Sequence, residues 1–501
     1  MNIIQLENIN YARSYMEHPL ENIQLTIKPG ELIHLKGEIG VSKSTLIDII
    51  LGIKQPDSGT VKIFGDSPRE LKSKLLTGVA PQKIGTPIEN AQLLRLIDLI
   101  ESHYPRASGK INSILEDFGL NFSPDKQKLS GGQERILFFA IAQAGSPHLL
   151  ILDEPTTFLD TEDTEDKLSK LTKFWQNLQK LHDDGHTILL ISHDREIGVQ
   201  PTRTILLKDG KLNSTSNTAN FEESFPVIDV NPELNIQHWI SLLIKHVKFN
   251  IEQTFRSDQK YIRLQLLASL LWGLLICVSA KISTEDSSSL SIIANAYSFY
   301  LAMSAAISTG NIIAEERQNE IFKKLLQVLP LPPIIYLLAK VITSWLITNL
   351  FILIMVLPTL YVISPSVLIP LFASLTIGVI PYLFLGIALG YLFEKPKTIQ
   401  IVALMLAMVL TIPVFARQIF NVTETILAIP GKLNLLSLIG DNIAAHSPIY
   451  HYMQIILFSG QAPEYDQYLW LHIFWLIWFT FISLFIALWA YGFICKKEAQ
   501  A

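Results

Sequence analysis

Lys43, Ser44, Asp153, Glu154 and His193 are the side chains of this 501-residue sequence whose types and neighbours could do chemistry together. Lys43 and Ser44 close "GEIGVSKST" (37–45), which follows the pattern G-x-x-x-x-G-K-[ST] except that Ser42 stands where a glycine is expected. In such a stretch successive backbone N–H groups form an anion-binding nest at a helix N-terminus. Here those groups run from Gly37, Glu38 and Ile39 through Gly40, Val41 and Ser42 to Lys43, Ser44 and Thr45. The lysine reaches outer phosphates and the hydroxyl binds magnesium. Glycines keep side chains clear of phosphate and permit φ > 0; Ser42 gives up that freedom, and its small side chain fits if φ is negative. Asp153 and Glu154 end "LLILDEP" (149–155). An aspartate at a strand's C-terminal end can hold a magnesium shell, while a second carboxylate polarises an attacking water. "LSGGQ" (129–133) sets Ser130, Gly131, Gly132 and Gln133 before a helix beginning "ERILFFAIAQ". Its amides would meet a phosphate at the helix N-terminus, or simply cap the helix. A lone His193 at a strand end would be a structural residue; its company gives it a second meaning.

Strands and helices of an α/β layer must hold these residues. "ELIHLKG" (31–37), "HLLILDEP" (148–155) and "HTILLISHD" (186–194) are short, turn-bounded apolar runs and are expected as buried strands. Helical patterns lie between them, as a mostly parallel sheet requires. "STLIDIILG" (44–52) continues the phosphate loop as an apolar helix.

Composition changes near residue 230. Overall, 49% of residues are hydrophobic and only 17% charged, whereas soluble domains carry charge on about a quarter. Beyond residue 260 the apolar runs lengthen, and a bilayer core needs about 20 apolar residues of helix. The stretches 262–280, 290–310, 334–360, 367–393, 398–416 and 468–494 meet that length approximately. With the N-terminal half in the cytoplasm, inner loops carry Arg317, Lys323, Lys324, Lys395, Lys397, Lys496 and Lys497, against Lys281, Arg417 and Lys432 outside. The positive-inside rule therefore favours both ends inside. Residues 232–258 link the halves: Trp239, Leu243, Val247, Ile251 and Phe255 recur at helical spacing, as in an interfacial helix or one packed on the soluble half. The net charge of −5 gives no sign of nucleic-acid binding. Cys277 and Cys495 lack metal-ligand spacing and support no disulfide framework. The start, "MNIIQLENIN", lacks the pattern of a cleaved signal peptide.

Over residues 1–215 the set resembles an ABC-type ATPase. "GEIGVSKST" matches its phosphate loop, Gln82 in "VAPQ" its Q-loop, "LSGGQ" its signature and "LLILDEP" its Walker B strand. "TTFLD" (156–160) matches its D-loop and His193 in "ISHD" its switch histidine, all in the family's order. The resemblance implies an α/β P-loop NTPase domain of the ABC type that binds ATP and Mg2+. Lys43 and the loop amides would hold the β- and γ-phosphates, with Ser44, Gln82 and Asp153 around magnesium. Glu154 would be the general base and His193 would contact the γ-phosphate. Ser130, Gly131, Gly132 and Gln133 would face ATP held by a second subunit, which implies a dimer. The family usually stacks an aromatic residue on adenine; Tyr11 and Tyr15 are near that place and neither aligns. Ser42 is one departure, and "QER" after the signature is another, since a basic residue often follows the glutamine directly. The latter, on a helix face, is expected to matter little.

The second half resembles the type-two ABC export permeases, which implies an all-α polytopic membrane domain of six transmembrane helices. In "NIIAEERQNEIFKKLLQVLPLPPIIYLLAK" (311–340) a charged amphipathic stretch, a proline turn and a lysine-bearing span follow one another, as in that family's cytoplasmic coupling region. Residues 417–467 match its outer segment. The expected domains are thus the ATPase at 1–215, a linker and interfacial helix at 216–260, and the permease at 261–501. Asn295, Ser298, Ala302, Ala305 and Thr309 line one side of the second span; small-residue helix packing explains them better than a transport path. The whole implies a half-transporter: a multi-pass protein of the bacterial inner membrane, with the ATPase and both termini cytoplasmic. Its partners would be a second half-transporter, homodimeric or heterodimeric, the lipid bilayer and an unknown cargo. A membrane ATPase that transmits force without moving a substrate is the alternative, though about fifty outer residues are few for it.

Overall fold

The structure, a computed structural model, describes all residues except 1, 14–17, 39–41, 83–89, 105–108, 121–128, 160–168, 194–196, 216–235, 258, 283–286, 319–327, 359–364, 428–446, 460–468 and 501. The chain divides into two compact units. The first is Met1–Phe249 with Asn319–Tyr336 and Lys496–Ala501; the second is Asn250–Gln318 with Leu337–Cys495.

In the first unit β1 (Ile4–Tyr11), β2 (Leu20–Ile27) and β3 (Leu32–Lys36) precede α1 (Lys43–Ile50). Then come β4 (Ser58–Ile63), α2 (Leu71–Leu75), β5 (Thr77–Ala80), α3 (Asn90–Ser102), α4 (Lys110–Asp117) and α5 (Gly131–Ala142). β6 (Leu149–Asp153), α6 (Lys170–Asp183), β7 (Thr187–Ile191), β8 (Arg203–Lys208) and β9 (Lys211–Thr215) complete the fold. A six-stranded sheet runs β5-β6-β7-β3-β8-β9, and a three-stranded sheet runs β2-β1-β4. Every pairing in the larger sheet is parallel except β8 with β9. β6 and β7 are buried along their whole length. Leu150 and Leu152 enter the core shared with α5 and α6, whereas Leu149 and Ile151 enter the core shared with α1 and the smaller sheet. Alternate residues face opposite layers, which is why these runs are apolar throughout. Because β6, β7 and β3 are parallel neighbours, their C-terminal ends open on one edge. The phosphate loop, the acid pair and His193 all leave from that edge.

α7 (Ile236–Ser257) follows. Its buried face is Leu242, His246 and Asn250, one step away from the expected row of Trp239, Leu243 and Val247, which are half-buried. The difference comes from a polar contact that hydrophobic periodicity does not report. His103 Nδ1 lies 2.8 Å from the Leu99 carbonyl and must donate to it, so its Nε2 accepts from His246 Nε2 at 3.1 Å. The coupling region also belongs to this unit. Leu329 is buried in the core that contains α3, α4 and α5, and Leu331 and Ile335 pack with Leu242.

The second unit is helical: α8 (Gln259–Ile282), α9 (Ser287–Gln318), α10 (Pro333–Val356), α11 (Pro365–Gly378), α12 (Ile380–Leu392), α13 (Pro396–Leu427), α14 (Pro448–Ser459) and α15 (Leu469–Gln500). Each of the six expected runs lies on helix where it is described, although 367–393 breaks at Val379, just before Pro381. Among the described residues, Pro333–Val356, Phe372–Leu392 and Leu469–Cys495 are long and apolar enough to cross a membrane. Ile262–Leu275 and Pro396–Thr411 are shorter apolar helices. Length and apolarity therefore single out fewer spans than six, in part because α9 carries Ser298, Ser304, Ser308, Thr309 and Asn311. Those residues are buried. α9 meets α12 backbone to backbone, since a Cβ on Gly386 would lie 2.5 Å from the Ala306 carbonyl and one on Gly390 would lie 2.8 Å from that of Gly310. The pair reads G-x-x-x-G in "GIALG" (386–390), a small-residue packing face. Lys340, the lysine of the third run, is fully buried and donates to the Glu316 carboxylate and to Asn250 Oδ1, the latter at 2.7 Å. Arg317 donates to the Gly390 and Tyr391 carbonyls at 3.2 and 2.6 Å, satisfying the C-terminal end of α12.

Candidate nucleotide site

Gly37 follows β3, and Lys43 begins α1. Lys43 Nζ donates to the Gly37 and Glu38 carbonyls at 2.5 and 3.1 Å, so its ammonium lies over the start of the loop. Ile39, Gly40 and Val41 lie outside the described residues. Ser42 has φ 67 and ψ 22, a left-handed conformation. The expectation that serine fits with negative φ is therefore overturned: the serine takes the backbone conformation that a glycine would. Its hydroxyl donates to the His18 carbonyl at 2.9 Å, a hydrogen bond no glycine could make.

Ser44 Oγ stands 3.4 Å from Asp153 Oδ2, and these residues line one cavity together with Gln82. The three residues expected around magnesium are thus brought together. Asp153 is the last residue of β6 and pairs with Ile191 of β7. Glu154, one residue on, is buried and left-handed at φ 52, with its amide donating to the Ile191 carbonyl at 2.9 Å. A left-handed L-residue is strained by about 1–2 kcal/mol, and such strain concentrates where a side chain must be aimed. The aim is visible. Glu154 Oε2 accepts from His193 Nδ1 at 2.7 Å, the carboxylate buried and the imidazole half-exposed. An ionised carboxylate has no proton to donate, so this contact places the histidine's proton on Nδ1.

Ser130 caps α5 through a capping box: its hydroxyl accepts from the Gln133 amide at 3.3 Å, and its own amide donates to Gln133 Oε1 at 3.0 Å. Within one chain the signature serine is therefore a helix cap. Gly132 has a packing reason as well, since an added Cβ would lie 2.6 Å from the Phe158 carbonyl; at Gly131 one would lie 3.2 Å from the Phe158 ring. Signature and D-loop touch. Phe158 is itself 74% exposed, and Asp160 lies outside the described residues.

Arg135 corrects the reading of "QER". It is buried, and its Nη1 donates to the Pro81 carbonyl at 3.2 Å, one residue before Gln82. Burial lowers its pKa from the ordinary guanidinium value, opposed by the charges of Glu134, Asp153 and Glu154. The signature helix thus carries a cation to the acids of β6 and to the start of the Q-loop. A helix face looks expendable in sequence; this one is packed. Of the two tyrosines, Tyr11 is fully buried and Tyr15 lies outside the described residues.

A phosphate loop, a strand-end acid pair, a histidine on the next strand and a glycine-bearing signature helix, on one mixed sheet, define an ABC-type nucleotide-binding cassette. The family described as "ABC transporter" matches residues 20–157, and that described as "ABC-2 family transporter protein" matches residues 157–489. The chain belongs to the ABC-2 transporter family, with an ABC transporter ATPase domain ahead of its membrane domain. The second match begins inside the cassette, which extends to β9. Over 228 residues the chain is 32% identical to the macrolide export ATP-binding/permease protein MacB of Mannheimia succiniciproducens, covering 42% of this chain and 34% of that one. It thus spans about a third of the length of that relative. It is also 32% identical to the uncharacterized ABC transporter ATP-binding protein YvrO of Bacillus subtilis, over 42% of this chain and 95% of that one. Among solved structures it is similar to the ATP-binding cassette MJ0796 in a dimeric post-hydrolysis state with ADP and Pi. That similarity has 26% identity and TM-score 0.36, over 42% of this chain and 97% of that one.

Proposed function

We infer that this chain is half of an ATP-driven exporter. Two such halves, identical or related, close their cassettes on ATP, hydrolyse it and move a cargo through their membrane domains. The observation that carries the reading is the 2.7 Å contact between Glu154 and His193, which supports a buried base and a hydrogen-bonded histidine partner on adjacent strand ends. Lys43 and the loop amides hold the β- and γ-phosphates. Glu154 takes the proton of the attacking water. With Nδ1–H committed to Glu154, His193 meets the γ-phosphate through Nε2, where it donates only when the ring is doubly protonated. Ser44, Gln82 and Asp153 suit Mg2+, because all three present oxygen donors, the kind a hard cation takes. Bound there, Mg2+ would neutralise charge building on the β,γ-bridge. Ser130, Gly131, Gly132 and Gln133 face the ATP of the second half-transporter.

Coupling runs through 311–333. Leu329 in the cassette core, and Val328 beside Gln82 in the same cavity wall, support this. The helices cross the bacterial inner membrane six times with both ends inside. α15 supports a lipid contact by exposing Phe474, Trp478, Phe481 and Phe485 on one side. α7 leaves Ile236, Ile240 and Ile244 exposed in a row, a face suited to the membrane surface. The macrolide export named for MacB is not carried to this chain, because that likeness stays within the cassette. The test is turnover of the purified chain in lipid. Glu154→Gln should lower ATP hydrolysis by about 10²–10⁴-fold, the worth of a positioned base, while ATP binding persists. Equal rates for wild type and variant would sink the enzymatic reading.

A further inference from the structure

α5 lies against β5. Towards the C-terminal end of α5 there is no room for a side chain at Gly78, beneath the Ala142 carbonyl, so backbone meets backbone. Towards its N-terminal end the contact is polar: Arg135 Nη1 donates to the Pro81 carbonyl at 3.2 Å. Arg135 is only 8% exposed, and among the described residues nothing accepts from its Nε. A buried cation with an idle donor is costly. An apolar side chain like those of Ile136 and Leu137, which follow it, would pack on the sheet without that cost. Arg135 therefore needs a reason other than packing.

The reason lies at Pro81. β5 and β6 run parallel with Ala80 paired to Leu152, so Pro81 leaves the sheet level with Asp153. The next residue, Gln82, lines the cavity that Ser44 and Asp153 also line. Pinning the Pro81 carbonyl fixes the plane of the peptide between Pro81 and Gln82, and with it the direction in which Gln82 departs. The charges of Asp153 and Glu154 act on the same guanidinium. We propose that Arg135 is a positioning residue: by holding the Pro81 carbonyl it keeps Gln82 in the oxygen set with Ser44 and Asp153 that suits a divalent cation. The inference rests on the magnesium reading above. One helix then serves two nucleotides. Its capped N-terminus faces the ATP of the second half-transporter, while Arg135, two residues past Gln133, serves the cation of its own chain.

The test uses Mn2+, a paramagnetic stand-in for Mg2+. It is titrated into the full chain in lipid with a non-hydrolysable ATP analogue and followed by electron paramagnetic resonance. Arg135→Met keeps the volume and removes the donor. It should weaken Mn2+ about tenfold, the lower end of what a hydrogen bond from a charged group is worth. Binding of the analogue without metal should stay within about threefold. In a Gln82→Ala background, itself weaker for Mn2+, Arg135→Met should cost nothing further, because the arginine acts through the glutamine. Arg135→Lys keeps the charge without the planar fork and should lose only about threefold. A merely supporting arginine would change the folded fraction and leave the Mn2+ midpoint where it was. Unchanged Mn2+ affinity in Arg135→Met, an equal loss of the analogue without metal, or a loss that persists beside Gln82→Ala overturns the proposal. Should Arg135→Met fail to fold, Arg135→Lys decides alone. A loss that vanishes in the Gln82→Ala background supports the proposal; no loss, or a loss in both backgrounds, overturns it. A wild-type complex that takes up no Mn2+ sinks the magnesium reading itself.

Discussion

At Ser42 the backbone takes a left-handed turn that strains an L-residue by about 1–2 kcal/mol, and the hydroxyl's bond to His18 returns about 1 kcal/mol. Ser42→Gly removes both effects. It should therefore shift stability by no more than about 1 kcal/mol, and ATP affinity should stay within about threefold, because the loop already has a glycine's shape. Calorimetric titration checks this, and a tenfold gain in affinity would show the serine to be a handicap after all. His103 gives a second outcome at this scale. Burial lowers its pKa to about 4, from an ordinary value near 6.5. Between those values the unfolded chain binds the proton and the folded one does not, so stability falls as pH drops from about 6.5 towards 4 and is fully present above 6.5. The cassette's melting temperature should drop across that window in the wild type and less in His103→Phe. Identical pH profiles would mean that the buried ring is not responsible.

Among the elements, α9 and α12 approach through glycine, and α9 and α10 are joined by Lys340 and Glu316. Gly386→Leu forces a side chain into the Ala306 backbone and should destabilise the membrane domain by about 1–3 kcal/mol or more. Gly386→Ala should do the same to a smaller degree, read as loss of monodisperse protein on heating in detergent. Lys340→Met alone removes the cation beside a buried carboxylate, at a penalty of about 3–5 kcal/mol. Adding Glu316→Gln should recover most of that loss, and a double variant as unstable as the single would show that the pair is not coupled. Elements also divide what the sequence disclosed from what it withheld. β3, β6 and β7 were legible because a strand buried on both faces writes its burial as an unbroken apolar run. The motifs were legible because each sits next to such a run. The buried face of α7 was hidden because His246 is polar and its partner His103 is 143 residues away. Arg135 was hidden for the same reason, its acceptor being the carbonyl of Pro81. The backbone at Ser42 could be judged only from its φ.

For the molecule as a whole, the two units are not two consecutive lengths of chain. Residues 328–336, which lie in sequence between membrane helices, belong to the cassette unit, and Leu329 is buried in its core. A gene cut after the cassette would thus make a protein with a missing plug. The cavity wall it shares with Tyr104 and Ile141 would stand open to water. Such a truncated product, residues 1–249, should clump or melt early, and a synthetic peptide of 319–336 supplied in trans should rescue it. The ATPase and the permease then share a piece of folding code, and evolution could exchange one for another only by carrying that plug along.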